Sequence, residues 1–323
     1  MSESLAPDAP DSEAPPDRRR LTRYAWLSVA TALVTISLKA GAYLLTGSVG
    51  LLSDAAESVV NLVAAVVALI ALTVAARPAD PRHPFGHAKA EYFSAVVEGA
   101  MILFASLFII ATGIARLLDP QPLENVGVGL LISVAASALN GVVAFVLIRA
   151  GRRHRSLTLV ADGKHLMTDV WTSAGVVLGV ALVALTGVWR LDAVVAILVG
   201  INILFTGYRL IRESVLGLMD TAWTERENAE LAGIMRGFET EGVRFHALRT
   251  RQAGHQRFAE VHVLVPGQWT VRRGHDLIEE LEAQVAAQME DVLLTCHLEP
   301  LEDPRSYGDY PVQVAGSGEP SGG

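Results

Sequence analysis

Cysteine is almost missing from this sequence: Cys296 is the only one in 323 residues. That excludes an intrachain disulfide framework and is compatible with a reducing compartment around the segment that carries it. Charge is scarce as well, since Asp, Glu, Lys and Arg make up 19% of the chain against 51% hydrophobic residues. No GxxxxGK[ST] phosphate loop occurs, so nothing supports nucleotide as a partner or energy source. There is no HExxH helix and no separate nucleophile set, so an enzyme is not expected. The net charge of −8 argues against nucleic acid as a partner. A cleavable signal peptide is not expected either. Acids and prolines precede the first apolar run, no small-residue cleavage site follows it, and that run reads as an uncleaved anchor.

What the chain has instead is long apolar runs, at about 25–46, 49–76, 93–117, 126–149, 158–187 and 191–211. Each is close to or above the ~20 residues that cross a bilayer as a helix. The mean hydropathy of +0.37 agrees. The expected architecture is an α-helical membrane protein with six transmembrane helices over 21–212, followed by a soluble domain over 213–304. The flanking segments 1–20 and 305–323 are rich in Pro, Gly, Ser and acids and are expected to be disordered. Basic residues favour one side of the membrane. Arg18, Arg19, Arg20 and Arg23 precede the first span, and Arg77, Arg82 and Lys89 separate the second from the third. Arg149, Arg152, Arg153 and Arg155 separate the fourth from the fifth, while Arg209 and Arg212 close the sixth; only Arg116 and Arg190 fall opposite. Both termini and the soluble domain are therefore expected in the cytoplasm, in a multi-pass protein of a plasma or inner membrane. Lys39, midway along the first span, is expected to snorkel or to pair.

The second run contains "LLSDAAESVVN", in which Asp54, Glu57 and Asn61 are spaced i, i+3, i+7. Helical geometry puts all three on one stripe. The fifth run opens with "ADGKHLMTD", where Asp162, His165 and Asp169 repeat that spacing. A lone intramembrane amide reads as a helix-packing hydrogen bond, whereas two matching stripes read as a site. Glu57, Asn61, His165 and Asp169 offer two carboxylates, an amide oxygen and an imidazole nitrogen, a four-ligand set for a divalent first-row metal. Ionised carboxylates are costly in a bilayer unless they meet a cation or take up protons, so metal and protons would compete for these groups.

The pairs Glu57xxxAsn61 and His165xxxAsp169, with the six spans and the soluble domain, resemble the cation diffusion facilitator family, also called cation efflux proteins. The resemblance spans about residues 20–300. It implies a homodimer that exports Zn²⁺ or a related divalent ion from the cytoplasm in exchange for protons. It also implies a departure: zinc members usually carry Asp or His in the position of Glu57 and Asp in that of Asn61. A neutral amide removes one charge and one proton acceptor. The harder donor set tilts the reading toward Fe²⁺, Mn²⁺ or Co²⁺, while His165 keeps Zn²⁺ open. Asp54 and Asp162 are expected beyond the ligands, on the ion's path or in a structural role. In the loop "ADPRHPFGHAKAE", Asp80, His83 and His87 match a second metal site of some members, and Lys89 is implied to form a dimer-stabilising salt bridge with Asp220.

The soluble segment reads as a helix over about 222–239, strands over 245–253 and 257–265, a helix over 271–288 and a strand over 291–299. Gly254 fits a hairpin between the first two strands. This αββαβ order fits the metallochaperone-like cytoplasmic domain of the family, in which His246, His262, His275, His297 and Glu299 fall on metal-binding positions. Two other functions were weighed against transport. A membrane-anchored metal sensor or scaffold has no need of the two intramembrane stripes, and an intramembrane metalloenzyme lacks the motifs noted above.

Overall fold

The computed structural model describes residues 21–46, 49–119 and 128–308. The expected tails lie outside these residues, except for 305–308. The chain divides into two compact units after Val215.

In the first unit six helices follow one another: α1 (Leu21–Thr46), α2 (Val49–Ala75), α3 (Ala90–Leu118), α4 (Val128–Arg153), α5 (Leu157–Thr186) and α6 (Arg190–Leu218). All six are long and apolar enough to cross a membrane. Their side chains are distributed inside out relative to a water-soluble bundle. Trp26, Phe104, Phe108, Phe145, Leu198 and Phe205 are exposed, whereas Thr35, Glu98, Asn140, Asp162, His165 and Asp169 are buried. That distribution suits a hydrocarbon surround, where polar groups must find partners inside the protein.

Helix α5 is the hub, packing against α1, α2, α3 and α4. Its start is fixed twice. The Ser156 hydroxyl accepts from Leu159 N, and it also donates to Glu91 Oε2 of α3 at 2.5 Å. The buried Glu91 carboxylate further accepts from Thr158 N, placing negative charge on the N-terminal end of the α5 dipole. Gly187, at φ +69, closes the other end in the left-handed conformation that glycine takes without steric cost. Helix α6 meets α3 along a seam of small residues. A Cβ on Gly99 would lie 2.7 Å from Ile211 Cγ1 and 3.3 Å from the Gly207 carbonyl, and one on Gly207 would lie 3.0 Å from Ile102 Cγ2. Glycine allows the two backbones to approach this closely.

The second unit holds α7 (Glu225–Arg236), β1 (Arg244–Ala253), β2 (Gln256–Val265), α8 (Val271–Gln288) and β3 (Val292–Pro300), in the expected αββαβ order. Thr224 and Glu227 form a reciprocal capping box that starts α7 three residues later than the apolar pattern suggests, and Thr270 caps α8. The sheet runs β1-β2-β3, with β1 antiparallel and β3 parallel to the central β2. Central position explains why β2 is buried on both faces, His262 and Leu264 included. Trp223, Leu231, Phe245, Val263, Leu281 and Val285 build the core between helices and sheet.

Residues 305–308, assigned by composition to the tail, are among those described. Pro304–Tyr307 forms a 3-10 turn capped by Asp303, with Ser306 Oγ donating to Pro300 O and Tyr307 Oη to Leu301 O. Composition favours disorder here, but these hydrogen bonds anchor the turn to the end of β3.

Candidate metal centres

The polar stripe of α5 faces the bundle interior. Asp169 is 4% exposed and His165 4%, with Asn61 of α2 at 2%. Asn61 Nδ2 donates to Asp169 Oδ2 at 2.5 Å, and Asn61 Oδ1 lies 3.0 Å from His165 Nε2. The orientation follows from donor and acceptor inventory: an ionised carboxylate only accepts, so the amide turns its nitrogen to Asp169 and its oxygen to the imidazole. His165 Nε2 then carries the proton, and its Nδ1 has no hydrogen-bond partner. Three of the four expected ligands thus converge. The fourth, Glu57, and its neighbour Asp54 sit on α2, but their side chains lie outside the described residues.

Helix α4 adds a group that the sequence reading passed over. Asn140, 1% exposed, donates from Nδ2 to the same Asp169 Oδ2 at 2.7 Å. Its Oδ1 has no hydrogen-bond partner among the described residues. Ser137, one turn earlier, donates to the Asp169 carbonyl at 3.4 Å and is hydrogen-bonded to Ser173. Asp169 is therefore clamped by amides from two helices. The available signal was a single amide in the apolar stretch "AASALNGVVAF", and a single amide has no spacing partner to distinguish it from a packing contact. Asp162, three residues before His165, accepts from Ser28 Oγ of α1 at 3.0 Å and is fully buried.

The cluster brings an imidazole, an amide and a carboxylate together in a buried position. Imidazole Nε2, amide Oδ1 and carboxylate Oδ2 are ligand atoms for first-row divalent ions. The same atoms are hydrogen-bonded to one another. Binding a metal requires Nε2 to shed its proton, which the free Nδ1 can take.

The loop residues come together as expected. Asp80 Oδ1 accepts from the backbone nitrogens of Arg82 and His83, both at 2.8 Å, and lies 3.2 Å from His83 Nδ1. His87 Nε2 is 3.4 Å from Asp80 Oδ2, and the two imidazole rings are 4.3 Å apart. Gly86, at φ +78, turns the chain between them. The Arg82 backbone N–H, with the His83 N–H next to it, holds the Asp80 carboxyl below the usual carboxylate range, so it stays ionised.

In the second unit, sheet register gathers the third set. His246 pairs with His262 across β1 and β2, and His262 pairs with His297 across β2 and β3. Glu299, two residues on from His297, shares its face. Glu299 Oε2 is 3.0 Å from both His246 Nε2 and His262 Nδ1, while His297 Nε2 sits 3.7 Å from Oε1 at the exposed edge. A register shift after His246, with Ala247 at φ +51, marks a bulge that re-aims this end of β1. His275 is not among the converging residues; it is exposed on α8 and lies 3.8 Å from Glu279 Oε1. Burial pushes the Cys296 thiol up to about 12, which makes it an inert core sulfur rather than a thiolate ligand. Asp220 accepts from Arg251 at 3.4 Å within its own unit, and Lys89 stands before α3 in the other unit.

The family model described as the cation efflux transmembrane domain matches residues 25–219, and that of the cation efflux protein cytoplasmic domain matches 224–301. The chain belongs to the cation efflux family. An uncharacterized transporter of Synechocystis sp. is 54% identical over 289 residues, covering 89% of this chain and 93% of the relative. The cation-efflux pump FieF of Shigella flexneri is 31% identical over 294 residues, covering 89% and 97%. FieF of Shewanella oneidensis is 30% identical over 275 residues, covering 85% and 92%. This cation efflux protein is thus a multi-pass membrane transporter whose second unit corresponds to the family's cytoplasmic domain.

Proposed function

We propose that this cation efflux protein exports a divalent transition metal from the cytoplasm in exchange for protons. The observation that carries the reading is the convergence of Asn61, His165 and Asp169, buried in helices that match the family's transmembrane domain. Glu57 completes the donor set. Asn140 orients Asp169 toward the ion and adds an oxygen that favours Fe²⁺, Mn²⁺ or Co²⁺ alongside Zn²⁺. Protons arriving from the opposite side compete for the imidazole and carboxylates and displace the metal.

The protein works as a homodimer with both termini in the cytoplasm, in a plasma or inner membrane. The geometry of Asp80, His83 and His87 supports a loop site, and that of His246, His262 and Glu299, with His297 and His275 nearby in sequence pattern, supports a regulatory site in the cytoplasmic domain. Metal in the cytoplasmic domain is linked to transport by a coupling free energy.

The test is metal flux into proteoliposomes, one ion at a time, with the pH gradient imposed or collapsed. Export coupled to protons requires that the gradient accelerate flux of at least one of Zn²⁺, Fe²⁺, Mn²⁺ and Co²⁺. Equal flux with and without it defeats the exchange mechanism.

A further inference from the structure

Glu98 of α3 is fully buried and takes no part in the cluster around Asp169. It accepts a hydrogen bond from Ser94 Oγ at 3.0 Å, and its Oε2 has no hydrogen-bond partner among the described residues. Asp162 of α5 is in the same situation: Ser28 Oγ serves Oδ1 at 3.0 Å, and Oδ2 has none. The two carboxyls are near enough to act on each other electrostatically. They are brought together by the packing of α3 on α5, with α1 supplying Ser28. Among the described residues no cationic side chain pairs with either. Lys164, on the same helix as Asp162, is turned to Glu213 of α6 at 3.6 Å.

Two ionised carboxylates buried where α3 packs on α5, within electrostatic reach of each other and each with an oxygen left without a donor among the described residues, form a costly arrangement that one bound proton relieves. The position is informative. Asp162 precedes His165 by three residues, about 4.5 Å along the helix axis, on the side of the α4–α5 loop, whose Arg149, Arg152, Arg153 and Arg155 mark it as the cytoplasmic side. Asn61, meanwhile, has taken a proton acceptor out of the transport site itself, because an amide does not titrate.

We propose that Glu98 and Asp162 form a proton-binding site, separate from the metal ligands, which holds the coupling proton between the transport site and the cytoplasm. This rests on the reading of the protein as a proton-coupled exporter. The pair binds one proton while the metal site is empty and releases it toward the cytoplasm when a cation enters. Neither carboxyl touches the metal.

The experiment compares the full-length protein with Glu98→Gln in proteoliposomes and in detergent. Glu98→Gln keeps the shape of the side chain and its bond from Ser94 but cannot release a proton. Expected are unchanged metal stoichiometry by titration calorimetry, loss of the acceleration by a pH gradient, and one proton fewer exchanged per metal. Infrared difference spectroscopy should show a protonated-carboxyl band in the parent that vanishes in both Glu98→Gln and Asp162→Asn. If Glu98→Gln does not fold, Ser28→Ala leaves both acids in place, and its carboxyl band should shift in frequency. A parent protein without gradient-driven flux defeats the exporter reading, and the infrared band still decides whether the pair holds a proton. A gradient-responsive parent matched by an equally responsive Glu98→Gln overturns the proposal. So does loss of one bound metal in Glu98→Gln, which would make the pair a cation site.

Discussion

Asp169 is the residue on which most of the membrane cluster depends. It accepts from Asn61 and from Asn140, so truncating it removes a proposed metal ligand and leaves two buried amides without their acceptor. Each stranded donor costs about 1–3 kcal/mol. Asp169→Ala should therefore lose transport and also melt earlier in detergent, whereas Asp169→Asn should lose transport with a smaller thermal change. The opposite kind of test is Asn61→Asp. It sets a second carboxylate where an amide now donates at 2.5 Å, and the like charges repel until a cation or proton enters. Metal binding followed by calorimetry should become tighter at neutral pH and should fall off more steeply on acidification than in the parent. An unchanged metal preference after this swap would remove Asn61 from the selectivity argument. The stripe of Asn61, His165 and Asp169 was legible because helical spacing makes neighbours of residues four apart. Asn140 and Glu98 were not legible, since only tertiary packing brings Asn140 to Asp169 and sets Glu98 against α5.

Helix packing puts the site together, and glycine decides how closely α3 and α6 approach. Gly207→Leu or Gly99→Leu forces side-chain atoms into Ile102 or Ile211 and should destabilise the membrane unit by about 1–3 kcal/mol, read as a lower melting temperature in detergent. Gly41, where an added Cβ meets nothing within 4 Å, provides the contrast: Gly41→Ala should melt no earlier than the parent. In the cytoplasmic unit the capping box of α7 makes a separate prediction. Thr224→Ala should cost about 1 kcal/mol without altering transport-site metal binding. Element order was readable from apolar runs and from strand pattern because both have strong periodicity. Element ends were set by hydrogen bonds that periodicity does not contain: Thr224 with Glu227 starting α7, and Ser306 and Tyr307 extending order past β3.

At the scale of the whole molecule, candidate metal clusters occur in both compact units, so their metal titrations can be separated. The cytoplasmic unit has its own core. In the full-length protein, a saturating divalent ion at about 100 times its Kd should stabilise that unit by about 2.7 kcal/mol, and a chelator should reverse the gain. His262→Ala should abolish it. Because protons and metal compete for ligating groups, this stabilisation should weaken on acidification. Asp80, held below the usual carboxylate range, remains ionised near neutral pH, so Asp80→Ala should weaken metal binding at the loop. Calorimetry of that variant beside the parent checks this.

The central claim is that the buried cluster of Asn61, His165 and Asp169 holds the ion that crosses the membrane. The most direct measurement is divalent metal flux in proteoliposomes carrying equal amounts of the parent protein or Asp169→Ala, under the same imposed pH gradient. The account predicts gradient-dependent flux in the parent and background flux in the variant. Parent-level flux through Asp169→Ala, reconstituted and folded, would contradict it.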